Sequence, residues 1–322
     1  MTDTYTAHDV SDVLNALPTL FGFRPYESLV AVATHGPRRR FGFRMRVDLP
    51  HPDDADQLGR LVAGHLRHQG AEGAILVAVT EQQDVARELL SAVRPHLAEI
   101  ELVLAVRADK CRYWLDVPDF PERGIAYEVS DHHLAIVKAV AAGQQILPDR
   151  AALVARFAPV QDPRRAELLR ATMAVVPQVI AVIADSPDDG LVDLAFRAVE
   201  DILDRGLSGL RLSDDDIVLL SVWVSTTEVR DAVVSLMTRD NAPAMLSLFT
   251  LLAQNVVPPC EPAVLTLAAF AAWLTGDGAQ ALIAVERALD VAPDYGAANT
   301  LIGILEAGIA PERWFAIAAE ER

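Results

Sequence analysis

Phe41-Gly42-Phe43-Arg44-Met45-Arg46-Val47-Asp48-Leu49 alternates apolar and polar side chains without a break until Pro50. A period of two marks a β-strand with one buried face. Phe41, Phe43, Met45, Val47 and Leu49 then face a core, while Gly42, Arg44, Arg46 and Asp48 lie on the other side. Just upstream, Ser28-Leu29-Val30-Ala31-Val32-Ala33-Thr34 is almost wholly apolar, the pattern of a strand covered on both faces. His35-Gly36-Pro37 between them supplies turn residues, so the two strands are expected to pair as a hairpin. Arg38-Arg39-Arg40 falls in that loop and reads as a solvated turn.

Downstream, Leu58, Leu61, Val62, His65 and Leu66 form a helical stripe within residues 53–69, with His65 at the edge of the core. Asp53, Asp54 and Asp56 fall in its first turn, where the helix dipole favours carboxylates. Ala74–Thr80 predicts a buried strand. Thr80 and Gln83 resemble a capping box for a helix reaching His96. Leu102–Arg107 is a further buried strand, Ala108-Asp109-Lys110 a turn, and Cys111–Asp116 a return strand. Helix–strand–helix–strand over 53–107 implies a parallel pair joined by a crossover helix inside a mixed sheet. Ahead of the hairpin, Thr6 and Asp9 predict the start of a short helix that stops before Pro18.

Past Ser130 the pattern is helical. Ser130 or Asp131 is the expected cap of a helix to Ala142, with His132 and His133 exposed at its start. Gly143–Pro159 reads as a connector, Pro159–Pro163 as a boundary, and Ser186-Pro187-Asp188-Asp189 and Ser213 with Asp216 as helix starts. The expected organisation is a mixed α/β domain over 1–150 and an all-helical domain over 160–322. Gly276, Ala281, Ala288 and Pro293 match the second half of a tetratricopeptide unit. One such unit predicts a lone helical hairpin at the end of the chain, since solenoids need about three.

The 322 residues carry a net charge of −17, of which residues 1–150 hold −5 and 151–322 hold −12. Such a surface repels phosphate backbones and anionic lipid, so no nucleic acid and no membrane partner is expected. The longest apolar stretches, Met173–Ala184 with Pro177 inside and Ala263–Leu274, are shorter than a spanning helix needs. Met1–Asp12 lacks a basic segment, so no signal peptide and a cytoplasmic location are expected. Cys111 and Cys260 are the only cysteines and lie far apart, predicting no disulfide, no zinc site and no metal.

The sequence holds no Gly-x-Gly-x-x-Gly after a strand, Walker loop, His-Glu-x-x-His or Gly-x-Ser-x-Gly, and no cofactor is predicted. The polar set with most chemical potential is Arg24, Ser28, Arg46 and Asp48. Arg46 and Asp48 lie two apart on a strand and share a face, while Arg24 precedes and Ser28 opens its partner. Two guanidiniums, a hydroxyl and a carboxylate could hold a phosphate or carboxylate, or simply tie the sheet rim to its loops. Arg112 and Trp114 on the return strand complete the candidates, Trp114 packing on the sheet or walling a pocket.

Several short motifs also carry a resemblance. They are Leu17-Pro18, Phe21-Gly22-Phe23-Arg24-Pro25, Ser28-Leu29-Val30 and Arg46-Val47-Asp48-Leu49-Pro50. Farther on come Arg112-Tyr113-Trp114, Leu147-Pro148-Asp149-Arg150, Val229-Arg230-Asp231-Ala232, Ala272-Trp273, Gly276-Asp277-Gly278 and Pro293-Asp294-Tyr295. In this order they resemble the actinobacterial domain-of-unknown-function family 4192. The resemblance implies an actinobacterial cytosolic protein and assigns no activity. Relatives often carry cysteines after the Arg-x-Trp strand; residues 115–128 here have none, so no ligand or redox role passes to that loop. Two functions remain open. One is a non-enzymatic protein-interaction or assembly module. The other is an enzyme or sensor for a small anionic ligand, which a deep pocket at the hairpin rim would favour.

Overall fold

Asp9 opens the first helix, α1 (Val10–Phe21), by accepting the Asp12 amide at 2.8 Å, so the cap is Asp9 and not Thr6. The helix runs through Pro18 instead of stopping before it. A proline forfeits one amide bond, and here burial of Val13, Leu14, Leu17 and Phe21 along one face offsets that loss. Gly22 ends the helix at φ 73°, its N–H bonded to the Pro18 carbonyl. The computed structural model describes residues 6–185 and 190–314. It divides into two compact units, Met1–Ala152 and Leu153–Arg322.

In the first unit the predicted hairpin is β1 (Ser28–His35) and β2 (Arg40–Asp48). A short 3-10 turn leads into α2 (Ala55–His68), followed by β3 (Gly73–Val79), α3 (Gln83–Val93), β4 (Glu101–Ala108), β5 (Arg112–Leu115), β6 (Ile125–Ala126) and α4 (Leu134–Ala141). The sheet order is β2-β1-β3-β4-β5-β6. β3 and β4 are parallel, joined over α3, and the other neighbours are antiparallel, as the mixed-sheet pattern predicts. Leu29, Ala31, Leu76 and Ala78 form one core with Val62 and Leu66 of α2 and Leu89 and Leu90 of α3. Phe43, Met45, Val47 and Leu49 flank it, and His65 stacks on Phe43 with ring centroids 6.1 Å apart. Phe41, next to the hairpin turn, stays exposed.

Two expected caps differ. Thr80 does not cap α3: its hydroxyl donates to Glu27 and accepts the amide of Gln82, the residue at the cap position, while Gln83 Nε2 donates to the Thr80 carbonyl at 2.7 Å. α4 is capped by His133, whose Nδ1 accepts the Ala135 amide and whose Nε2 lies 3.0 Å from Asp12 Oδ1. His133 is therefore half-buried rather than exposed.

α5 (Arg150–Ala155) spans the division. The second unit then holds α6 (Arg164–Ala184), α7 (Leu191–Leu207), α8 (Asp214–Trp223), α9 (Thr227–Leu236), α10 (Ala242–Asn255), α11 (Glu261–Leu274), α12 (Gly278–Val291) and α13 (Gly296–Glu306). The Ser186–Asp189 helix start lies outside the described residues. Residues 153–159, within the stretch read as connector, pack with α10 and α12: Gln254 donates to the Arg156 carbonyl at 2.8 Å, and Arg287 donates to that of Phe157. α11 is buried along its whole length. It turns through Gly276 (φ 79°) into α12, whose Asp277 cap accepts the Gln280 amide at 3.0 Å. Ala281 and Ala288 are fully buried, as close antiparallel helices require. This is the tetratricopeptide-like hairpin, with α13 packed after it.

Ser213 and Asp216 form a reciprocal capping box at α8, and Arg205 grips Asp216 with two bonds of 2.9 and 3.0 Å. Arg205 first, then the Ser213 donors, hold the Asp216 carboxyl well below the usual carboxylate range against the opposing effect of burial. A depressed folded-state pKa gives stability that is present above the unfolded value of about 3.9 and fades as pH falls below it. Asp216→Asn should therefore cost about 1–2 kcal/mol at pH 7, with the gap to the parent shrinking by pH 3. Urea melts at the two pH values measure this; an unchanged gap would contradict it.

Candidate functional site

The carboxyl ends of parallel β3 and β4, the start of β1 and the end of β2 meet at one edge of the sheet. Open α/β sheets place ligands at such an edge. Glu27 enters β1 at φ 45°, an uncommon conformation for a residue with a side chain. Its carboxylate accepts the Thr80 hydroxyl at 2.9 and 3.0 Å. Next to it, Lys110 Nζ lies 3.1 Å from Glu81 and 4.7 Å above the Tyr26 ring. An open cleft of about 400 Å³ lies here, lined by Glu27, Asp48, Leu49, His51, Gln82 and Val85.

The sheet register brings Ser28, Arg46 and Asp48 onto one face at this edge, since Ser28 pairs with Asp48 and Val30 with Arg46. Arg46 lies 2.6 Å from Asp48 and donates to the Tyr26 carbonyl at 3.2 Å. Its side chain is 10% exposed and that of Asp48 74%. Burial pulls the Arg46 pKa below the ordinary arginine value, opposed by Asp48. Asp48 thus stands in water and Arg46 is the buried partner. Ser28 is fully buried, and its hydroxyl has no hydrogen-bond partner among the described residues.

The other three candidates lie elsewhere. Arg24 turns to Asp131. Arg112, on β5, donates to the carbonyls of Arg123 and Gly124 at 3.0 and 3.2 Å. Trp114 donates to the Glu122 carbonyl at 3.0 Å, and its ring lies so near Gly124 (φ 68°) that a Cβ there would meet it at 2.5 Å. Arg112 and Trp114 clamp the loop after β5. The rim cleft is lined by two carboxylates, and Arg46 beside it is already paired with Asp48, which repels rather than attracts an anion. Tyr127, donating to the Asp109 carbonyl at 2.7 Å, has its pKa pushed up to about 12, by burial above all, and stays neutral. Among the described residues no group of three His, Cys, Asp or Glu is placed for a metal, and both cysteines are free.

A second surface lies on α6, 21 residues long and anchored on one side. Arg164 reaches Asp214 with two bonds of 2.8 and 3.2 Å, and Arg165 lies 3.0 Å from Glu261. Leu168, Thr172 and Val179 are buried, with α8 the main neighbour. The adjoining stripe is Leu169, Met173, Val176 and Ile180, of which Leu169, Met173 and Ile180 are exposed by 40%, 56% and 58%. α6 is also the one helix among the described residues long and apolar enough to cross a membrane, reaching farther back than the Met173–Ala184 stretch suggests. The sequence carries the signal: two adjacent apolar stripes at i, i+4, i+7, i+11, more than one core contact uses.

A mixed sheet with two covering helices, followed by a helical unit centred on one buried helix, defines an α/β-plus-helical protein. Residues 11–312 match the family model described as Domain of unknown function (DUF4192), and the chain belongs to that family. Searches of curated proteins and of solved structures found no match.

Proposed function

We propose that this is a non-enzymatic interaction module that presents α6 to a protein partner in an actinobacterial cytosol. The observation that carries this reading is the exposed stripe Leu169–Met173–Ile180 on a helix that cannot turn to hide it. Contiguous apolar surface of this kind is costly in water unless covered, and it marks sites of association. A small anionic ligand at the rim is the weaker alternative, because the cleft presents Glu27 and Asp48. Twenty-six arginines against two lysines suit a GC-rich genome, and free cysteines suit a reducing cytosol.

A photo-crosslinking amino acid placed at Met173 in cells tests the reading. It should give one discrete protein adduct, while the same probe at exposed Gln178, about 140° around the helix, should give none. Absence of any protein adduct at 173 would refute the module.

A further inference from the structure

We propose that the cleft at the carboxyl edge of the sheet binds a primary ammonium on a short alkyl stem, with Glu27 as its counter-ion. Its volume of about 400 Å³ is that of a small-molecule site, and it lies where open α/β sheets hold ligands. Leu49, Pro50, Pro52 and Val85 give it apolar walls. Between them stands Glu27, a half-buried carboxylate with no cationic partner among the described residues. The cations on the surrounding elements are all engaged. Arg46 lies 2.6 Å from Asp48, Arg87 2.8 Å from Asp84, and Lys110 3.1 Å from Glu81. His51, also in the lining, lies 3.3 Å from Asp53. A carboxylate partly withdrawn from water and left without a counter-charge favours a cation.

The hydrogen bonds around Glu27 select the kind of cation. The Thr80 hydroxyl lies 2.9 and 3.0 Å from its two carboxylate oxygens, nearly equidistant from both. That hydroxyl is itself held, because it accepts the Gln82 amide at 3.1 Å. It therefore occupies the symmetric approach along which a guanidinium forks onto both oxygens. The outer lone pair of either oxygen stays open, which suits a compact ammonium. The carboxylate is also set in place before any ligand arrives. Glu27 stands at φ 45°, and its carbonyl accepts the Leu49 amide at 3.1 Å, so little ordering is left to binding. Asp48 adds negative potential, but Arg46 holds its carboxylate, and Glu27 remains the contact. The apolar walls cover the alkyl stem. A metal ion is the poorer occupant, since among the described residues no group of three His, Cys, Asp or Glu is placed for one.

Saturation-transfer NMR on the full chain at pH 8 reads the result, with butylamine, butylguanidine and butyrate as probes. Butylamine should be saturated, with the millimolar affinity expected of so small a ligand. Butylguanidine should bind more weakly, and butyrate should give no signal. Glu27→Gln keeps an oxygen for the Thr80 hydroxyl and should weaken butylamine about tenfold. Gln82→Lys should weaken it as well, by placing a competing ammonium beside the cleft. Gln82 is exposed and its side chain caps nothing, so the circular-dichroism melt of this variant should match the parent. Nα-acetyl-lysine methylamide separates two sources of the same chemistry. Binding tighter than that of butylamine assigns a lysine side chain of another protein, and weaker binding assigns a free amine. No saturation of butylamine, equal binding of butylguanidine, binding of butyrate instead, or a Glu27→Gln protein that binds like the parent overturns the proposal. It stands apart from the α6 reading, which the Met173 probe tests separately.

Discussion

Glu261→Ala should destabilise the helical unit by about 3–5 kcal/mol, the range for removing one partner of a buried ion pair. Glu261 is 4% exposed in the first turn of α11. Its carboxylate lies 3.0 Å from Arg165 and 3.6 Å from Arg287, so it stands between two guanidiniums. Arg287 also donates to the carbonyls of Phe157 and Ala253. Burial pulls its pKa below the ordinary arginine value, and Glu261 opposes that. Removing the carboxylate leaves the largely buried Arg287 and the part-exposed Arg165 without the counter-charge they share, and α6 and α12 lose their common tie to α11. The melting temperature should fall by roughly 6–20 °C. A double replacement of Glu261 and Arg287 by leucine and methionine should recover part of the loss, because it buries no unpaired charge. A melting temperature within 2 °C of the parent for Glu261→Ala would contradict the network.

Trp273→Ala is expected to cost a similar ~3–5 kcal/mol by a different route, the cavity left by a large ring. Trp273 sits in the last turn of buried α11, packs on Phe270 with centroids 5.5 Å apart, and donates to the Ile309 carbonyl at 2.9 Å. Phe270 in turn meets the Trp314 ring edge-on at 5.2 Å. This one side chain closes the end of the helical unit, pinning the chain after α13. Trp273→Phe keeps most of the volume but strands the Ile309 carbonyl, for about 1–2 kcal/mol. Urea melts of the two variants should rank them in that order; equal losses would mean that the hydrogen bond, not the ring, is what matters.

The sheet was legible because its strands state their burial directly. Phe43 to Leu49 alternate and Leu29 to Ala33 do not, which marks one strand as covered on one face and its partner as covered on both, while the register slip between Val32 and Thr34 left no sign in either pattern. Helix ends were less legible. Thr6, Asp9, Ser130 and His133 all offer a capping atom, and only the packing of α1 and α4 selects among them. Pro18 misled for the same reason, since the burial that offsets its missing donor is tertiary. β6 is two residues long and too short for any periodic signal. At the site, strand spacing correctly put Arg46 and Asp48 together, but it could not tell which of them is buried. Arg24 was drawn to Asp131 by a loop more than a hundred residues downstream, which no local pattern reports. On α6 the apolar residues were plain, whereas their exposure depends on which stripe α8 covers.

The sheet order has a bearing on what the protein does when concentrated. One border of the sheet is the two-residue β6 and the other is β2. A border strand is a template on which foreign chains add and fibres grow, and charge along it is the usual defence. β2 carries Arg40, Arg44 and Arg46 in nine residues, its ladder with β1 slips register between Val32 and Thr34, and Pro50 and Pro52 follow it. An incoming strand would meet Arg40 and Arg44 on a bent ladder that stops at the prolines. Crowding of the folded protein therefore gives no route to cross-β polymer through this sheet, and the unprotected moment falls earlier, during synthesis, before β2 has closed over Ser28–His35.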